Sequence, residues 1–336
     1  MPDLTIETAA GPATLTVAKA VNAALDRALT EFPETILFGE DIALPGGVFG
    51  CTKGLVERHG PRVFDTPISE SAMLGAAVGA ALLGRRPIVE IMWVDFTLVA
   101  FDQIVNQAAN VRYVSNGRLH AAMTIRTQQG VLPGSCAQHS QSLEALFTHI
   151  PGLRVAMPSS PQEAYALLLA AIASDDPAVV IEHRGMYHTV SGEVRLGEPI
   201  EPVGGARIVR QGKDLTIVAL GPMVRVAVDA AAMLAEEGIE AEVIDPRWLA
   251  PFDAETVVAS VSRTGRLVVA HEANVTGGFG AEVAARVARD AFWSLEAPIE
   301  RVGLPDVRMP AAPGLQAAVV PTANDIVTAA RRAVAA

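Results

Sequence analysis

Apolar and polar positions along this chain switch repeatedly between a helical spacing and short unbroken apolar runs. From Thr16 to Glu31 the apolar residues recur with helical period, and Thr16 stands where an N-cap belongs. "TILFGED" (Thr35 to Asp41) predicts a buried strand running into a loop, marked by "LPGG" and "GVFG". "RVFD" then leads through Thr66 and Pro67 into an almost wholly apolar helix with Glu70 at its mouth. Next come a strand "PIVEIM" (Pro87 to Met92), a long helix from Asp95 to about Ser115, and a strand "AAMTIRT". A helix "LEALFTHI", a strand "LRVAMP", a helix from Gln162 to Ser174 and a strand "AVVIEH" complete the first series.

Between Val190 and Gly205 the pattern dissolves into Gly, Pro and Glu, and a second series follows. It reads "LTIVALG", helix Val224 to Glu237, "EAEVID", helix Asp253 to Ser262, "RLVVAHE", helix Phe279 to Asp290 and "APIERV". A last helix begins near Ala323, with Asn324 and Asp325 at its start. Strands separated by helices predict an α/β fold with parallel sheets covered on both faces. The expected organisation is two doubly wound domains: residues 1–190, a connection at 191–205, and residues 206–336.

Composition narrows the classes. The chain has 336 residues, half of them hydrophobic, enough for two cores; only 5% are aromatic, so those cores are built from Ala, Val and Leu. The formal net charge of −11, with no basic stripe, argues against a nucleic-acid partner. Two cysteines, Cys51 and Cys136, make no metal framework and fit a reducing compartment. The opening "MPDLTIETAAGPATLT" lacks a basic-then-apolar leader, so a cytoplasmic location is expected. The longest mostly apolar run, Ala72 to Gly84, is 13 residues. A spanning helix needs about 20, so no membrane partner is expected. Helices this apolar are usually covered on all sides, often by partner subunits.

Three stretches could carry chemistry. "HEANVTGGFGAEVAARV" (His271 to Val287) joins a strand to a helix, the context of a dinucleotide fingerprint, but its glycines, Gly277, Gly278 and Gly280, miss the G-x-G-x-x-G spacing. The alternative is a turn that lets helix and strand pack closely. "LPGSCAQHSQS" (Leu132 to Ser142) holds Cys136 and His139. Three residues of separation in a loop do not ensure contact as a nucleophile pair, but His139 sits among polar residues where a proton-handling imidazole would be placed. Glu70 is the sharpest case. As a first-turn acid it favours the helix dipole. Its helix, however, carries Gly75, Gly79 and alanines at 72, 76, 77, 80 and 81, which allow neighbouring backbones to come close. A carboxylate beside such a seam sheds water, which tends to raise its pKa and suits it to exchanging a proton with a ring nitrogen.

Five stretches in order complete the picture: "DTPISE", "GAAVGAALLGRRPIVEIM", "FDQIVNQAA", "AQHSQS" and "PGLRVAMPSSPQEA". Together they closely resemble the beta subunit of the thiamine-diphosphate-dependent decarboxylase component of 2-oxo acid dehydrogenase complexes. The likeness continues through "LTIVALG", "AEVIDPRWLAPFD" and "HEANVTGGFGAE". It implies a transketolase-like pair of domains, the first binding the cofactor's pyrimidine. The glutamate of "TPISE", here Glu70, would hydrogen-bond the aminopyrimidine and set its protonation, while the cofactor ring serves as electron sink. Phe96 matches the aromatic residue that packs on the pyrimidine, Glu40 an acid near the same ring, and His139 the histidine that aids acyl transfer to a lipoyl arm. Some members hold potassium through backbone carbonyls; the matching positions are Met123, Ala171, Ile172, Ser174 and Asp176, two of which differ in type from the family pattern.

The resemblance also implies partners. The family's diphosphate-and-magnesium signature, G-D-G followed by Asn-Asn, has no counterpart here, which assigns both groups to a separate alpha subunit in an α2β2 heterotetramer. A lipoyl-bearing dihydrolipoamide acyltransferase would receive the acyl group, and the second domain is expected to stabilise the assembly. Val99 stands where pyruvate-specific chains carry glutamine, and the Asp95–Phe96 pair resembles branched-chain and acetoin-cleaving relatives. The expected activity is oxidative decarboxylation of pyruvate or a branched-chain 2-oxo acid. The alternatives are acetoin cleavage with the same cofactor, and a non-catalytic scaffold, against which Glu70, Phe96 and His139 argue together.

Overall fold

The structure is a computed structural model that describes residues 11–336. Two compact units emerge, one of residues 11–129 and 147–203, the other of residues 130–146 and 204–336. In chain order the first series comprises β1 (Gly11–Thr16), α1 (Val17–Glu31), β2 (Thr35–Gly39), α2 (Leu55–His59), β3 (Val63–Asp65), α3 (Glu70–Leu82) and β4 (Arg86–Ile91). It continues with α4 (Val111–Val114), β5 (Thr124–Gln129), α5 (Glu144–Thr148), β6 (Arg154–Ala156), α6 (Pro161–Ala173), β7 (Ala178–His183) and β8 (Ser191–Leu196). The second comprises β9 (Arg207–Arg210), β10 (Leu215–Ala219), α7 (Met223–Glu236), β11 (Ala241–Asp245), β12 (Trp248–Ala250) and α8 (Ala254–Thr264). β13 (Leu267–Asn274), α9 (Phe279–Asp290), β14 (Glu300–Leu304), α10 (Pro313–Ala317) and α11 (Ala323–Ala335) follow.

In the first unit the strands run β6-β7-β5-β4-β2-β3, every pair parallel. Central strands buried on both faces explain why "PIVEIM" and "AVVIEH" read as continuous apolar runs instead of alternating ones. α1 is capped as the sequence predicts: the Thr16 hydroxyl accepts from the Lys19 backbone N–H at 3.3 Å. It packs against α6, whose residues are buried on almost every side. β8 lies in the stretch expected to connect the domains and pairs antiparallel with β1.

One expected element is broken. The single helix predicted from Asp95 to Ser115 is a 3₁₀ segment at Val94–Ala100, a π-helical segment at Gln103–Ala108 and the short α4. Side chains and neighbours account for the breaks. The buried Thr97 hydroxyl donates back to the Val94 carbonyl at 2.6 Å, tightening the first turn. The carbonyl of Ala109, just beyond the widened turn, lies so near Gly152 that a Cβ there would fall 2.4 Å from it. Such irregular turns often accompany sites.

In the second unit β14-β13-β10-β11 are parallel and β9 adds an antiparallel edge on β11. Its core is the Ala/Val/Leu cluster expected from composition: Leu215, Ile217, Ala227, Ala230, Leu234, Val243, Val268 and Ala330 are fully buried or nearly so. No helix among the described residues is long and apolar enough to cross a membrane.

Candidate active site

Glu70 opens α3 and is buried, 8% exposed, although no side-chain cap precedes it. The position follows from the chain: Pro67 ends the extended stretch after β3, and the small-residue run after Ser69 begins the helix at once. Thr66 returns to the sheet by donating its N–H to the Gly39 carbonyl at 2.9 Å. Glu40 is the residue after Gly39, at the carboxyl end of β2. Gly39 cannot carry a side chain: a Cβ there would fall 2.8 Å from the Glu90 carbonyl oxygen. The two acids predicted from sequence are thereby brought within electrostatic reach. The Glu40 carboxyl is held above its ordinary value, chiefly by burial, then by the negative charge of Glu70 and then of Asp41.

Phe96, in the 3₁₀ segment beyond β4, is half-buried and lies in an aromatic group. Its ring meets Trp93 edge-on at 5.5 Å; Trp93 meets Phe49 at 6.0 Å, and Phe49 meets Tyr187 at 5.3 Å. The Arg184 guanidinium lies over Trp93 at 5.9 Å. The Ser71 hydroxyl, one residue past Glu70, donates to the Val99 carbonyl at 2.6 Å, tying the first turn of α3 to the segment that bears Phe96. Glu40, Trp93, Phe96 and Arg184 all follow the carboxyl ends of parallel strands, the edge at which open α/β sheets bind ligands.

Beneath that edge sits a cluster the sequence reading missed. Arg126 is fully buried and forks onto Glu182, Nε to Oε1 at 2.8 Å and Nη2 to Oε2 at 2.7 Å. Its Nη1 donates to Glu90, and the Tyr187 hydroxyl donates to Glu182. The register sets Glu90 opposite Arg126 and Glu182 opposite Gln128, two residues beyond Arg126, a gap the long arginine side chain spans. Burial, then repulsion from Glu182, holds the Glu90 carboxyl above its ordinary value against the pull of Arg126. The same burial raises the Cys51 thiol. A signal was present: one charge inside each of three apolar strands, "IVEIM", "MTIRTQQ" and "VVIEH".

His139 belongs to the second unit, on the segment 130–146. That segment is pinned by the Val131 N–H donating to Glu272 Oε1 at 2.9 Å and by Gln316 donating to the Leu132 carbonyl at 3.0 Å. The Cys136 thiol is turned toward Gln138 Oε1 at 2.8 Å, and its backbone is left-handed, φ 48°. The glycine-rich turn of the same unit packs around an imidazole. A Cβ at Gly280 would lie 2.6 Å from His271 Nε2, and one at Gly278 2.8 Å from its Cε1. Burial first, with the nearby charge of Arg301, pushes His271 down to about 4, so it is neutral at physiological pH.

The five carbonyl positions considered for potassium lie at the C-terminal end of α6, in the loop beyond it, and before β5. The donors are hard peptide oxygens, the chemistry a monovalent cation needs. Two of them already face a cation: Arg86 Nη1 donates to the carbonyls of Ile172 at 2.7 Å and Ser174 at 2.8 Å. The Met123 carbonyl accepts from Ala178, that of Ala171 accepts from Ser174, and the Asp176 carboxylate is held by Arg112 and Arg154. A potassium ion would share two ligands with the Arg86 guanidinium. Among the described residues no group of three or more His, Cys, Asp and Glu is placed to hold a metal.

Comparison with known proteins decides the family. Residues 13–189 match the model of the transketolase pyrimidine-binding domain, and residues 204–326 that of the transketolase C-terminal domain. The chain is 47% identical to the beta subunit of acetoin:2,6-dichlorophenolindophenol oxidoreductase of Cupriavidus necator, over 95% of this chain and 97% of that one. The chain belongs to the beta-subunit family of 2-oxo acid and acetoin dehydrogenases. Family members from eukaryotes are nearly as similar. The mitochondrial 2-oxoisovalerate dehydrogenase subunit beta of Dictyostelium discoideum is 45% identical over 90% of this chain and 82% of its own. The mitochondrial pyruvate dehydrogenase E1 component subunit beta-2 of Oryza sativa subsp. japonica is 43% identical over 95% and 86%. Among solved structures, a split-gene transketolase described as an inactive beta4 tetramer superposes with a TM-score of 0.74 at 27% identity, covering 96% of this chain and 98% of that one. Membership accounts for the glycine turn without a dinucleotide: it lies in the transketolase C-terminal domain and packs on His271.

Proposed function

We propose that this chain is the beta subunit of a thiamine-diphosphate-dependent 2-oxo acid dehydrogenase, which with an alpha subunit decarboxylates a 2-oxo acid oxidatively and passes the acyl group to lipoamide. The observation that carries the reading is the pairing of two acids, Glu70 and Glu40, at the carboxyl edge of a parallel sheet, with the segment bearing half-buried Phe96 tied to the Glu70 helix through Ser71. Those residues fit an aminopyrimidine: acids to exchange and share protons with ring nitrogens, and an aromatic face to pack on it. Thiamine diphosphate, when bound, supplies the electron sink that makes loss of the carboxylate feasible.

Glu70 is the proton-exchanging group in this scheme. It is already desolvated, and its helix start is fixed to the Phe96 segment through Ser71. Glu40, held above its ordinary value by burial and by the charge of Glu70, keeps a proton to higher pH than an exposed acid. His139 handles a proton during transfer of the acyl group to the lipoyl arm. The diphosphate and magnesium are assigned to the alpha subunit, in an α2β2 assembly.

The experiment is reconstitution with an alpha chain and assay on a panel of 2-oxo acids and acetoin, with thiamine diphosphate and magnesium. Glu70→Gln should leave the assembly intact and lower turnover by about 10²–10⁴-fold. Near-normal turnover in that variant would refute the role. His139→Ala should impair lipoamide-linked transfer more than decarboxylation measured with an artificial oxidant, and equal losses would remove it from the transfer step. A second reading, cleavage of acetoin, is favoured by the 47% identity to a chain of that activity along nearly its whole length. Turnover of acetoin in preference to every 2-oxo acid on the panel would establish it.

A further inference from the structure

The rings beside the candidate site form a ladder anchored at Tyr187. Tyr187 is fully buried, and its hydroxyl donates to Glu182 Oε2, the same oxygen that Arg126 Nη2 reaches at 2.7 Å. Arg126 is fixed in turn by its fork on Glu182 and its bond to Glu90. From that anchor the rings proceed Tyr187 to Phe49 at 5.3 Å, Phe49 to Trp93 at 6.0 Å and Trp93 to Phe96 at 5.5 Å. All three spacings fall within the range of about 4.5–7 Å in which aromatic pairs attract. Phe49 stands in a glycine-rich loop between Gly47 and Gly50, both with positive φ.

We propose that Tyr187 is a positioning residue, which passes the rigidity of the buried Glu90–Arg126–Glu182 cluster through Phe49 and Trp93 to Phe96 and so fixes the aromatic face offered to the cofactor ring. The inference rests on the role given to Phe96 in the proposed function. Three features support it. The cluster joins three adjacent strands, β4, β5 and β7, whose carboxyl ends frame the site. The Tyr187 hydroxyl is the link from that cluster to the ring ladder. Arg184, on the turn between β7 and Tyr187, braces Trp93 from its other partner, 5.9 Å from the ring. A side chain acting this way alters the geometry of binding before it alters the chemical step.

The test uses the reconstituted alpha–beta complex carrying Tyr187→Phe, which keeps the ring and deletes the hydroxyl that reaches Glu182 and the Cys51 thiol. A Trp93→Phe complex supplies, by difference, the near-ultraviolet circular dichroism due to Trp93. Without cofactor, the Trp93 signal should shrink in the Tyr187→Phe complex. The concentration of thiamine diphosphate for half-saturation should rise about tenfold while kcat stays within about twofold. Phe49→Leu, one rung further on, should give the same split, and decides the matter should Tyr187→Phe fail to assemble. An unchanged Trp93 signal with unchanged half-saturation overturns the proposal; so does a fall in kcat and cofactor saturation together with a lowered melting temperature, the mark of a structural link alone. Failure of the functional reading is distinguishable, since normal turnover of Glu70→Gln would sink it while the cofactor-free dichroism still reports on the ladder.

Discussion

Glu90 and Glu182 flank one guanidinium, yet they are not equivalent. Glu182 accepts both tines of the Arg126 fork and the Tyr187 hydroxyl, whereas Glu90 accepts from a single Arg126 nitrogen. Two charged carboxylates against one cation would leave a net charge out of water, at a cost of several kcal/mol. Burial raises the Glu90 carboxyl above its ordinary value, against the pull of Arg126. Glu182→Gln should therefore cost about 3–5 kcal/mol, since it breaks the Arg126 fork and removes the Tyr187 acceptor together, and Glu90→Gln should cost less. The sign of the pH dependence follows. A carboxyl raised in the folded state contributes stability that is fully present below the ordinary value of 4.5 and is lost as pH rises through the folded value. Stability of Glu90→Gln relative to the native chain should rise with pH, and denaturant titrations at a series of pH values would show it. Equal losses for the two variants would contradict this account.

At the scale of elements, the end of α6 shows how one side chain closes a helix. Arg86, at the start of β4, donates to the carbonyls of Ile172 and Ser174 and pairs with Asp175 at 3.1 Å. Carbonyls at a helix C-terminus have no partner within the helix and carry the negative end of its dipole, so a cation belongs there. Arg86→Met should destabilise the chain by about 2 kcal/mol through the carbonyls left unsatisfied. Potassium chloride should recover part of that loss in thermal melts, and choline chloride at the same ionic strength should not. The broken stretch after β4 belongs to the same scale. Its apolar spacing promises one helix, but Thr97 and the close approach of Gly152 to Ala109 break it into 3₁₀, π and α turns. That irregular path carries Phe96, and a straight helix would have aimed it elsewhere.

For the whole molecule, the apolar face of α3 argues for a partner. Ala72, Ala76, Gly79 and Leu83 are exposed along one side, Leu83 at 88% and the nearby Ile68 at 80%. Contiguous apolar surface of this kind marks an interface. The small side chains allow an alpha chain to approach closely. Ala76→Arg should weaken co-purification of the alpha subunit by at least about tenfold while leaving the melting of the isolated beta chain unchanged, as pull-down and calorimetry would report. Undiminished association would move the interface off this face.

Much of this molecule was legible in its residues. The alternation of apolar runs with helical spacing dictated two α/β units, because buried parallel strands and amphipathic helices each impose their own period. Thr16 fixed the start of α1, and Glu70 the mouth of α3, because capping and turn chemistry are local. What lay beyond the sequence was everything set by register and by contacts between distant segments. Parallel pairing put Glu90 opposite Arg126 and Glu182 two positions further along the next strand, within reach of the guanidinium, though 36 and 56 residues separate the two acids from the arginine. The same long-range closure set Glu40 beside Glu70, threaded residues 130–146 into the second unit, and packed Gly278 and Gly280 against His271. Hydrophobic period determines which elements form; only the assembled sheet decides which side chains meet, since strand order and register are fixed by packing between distant segments and leave no mark on the local pattern.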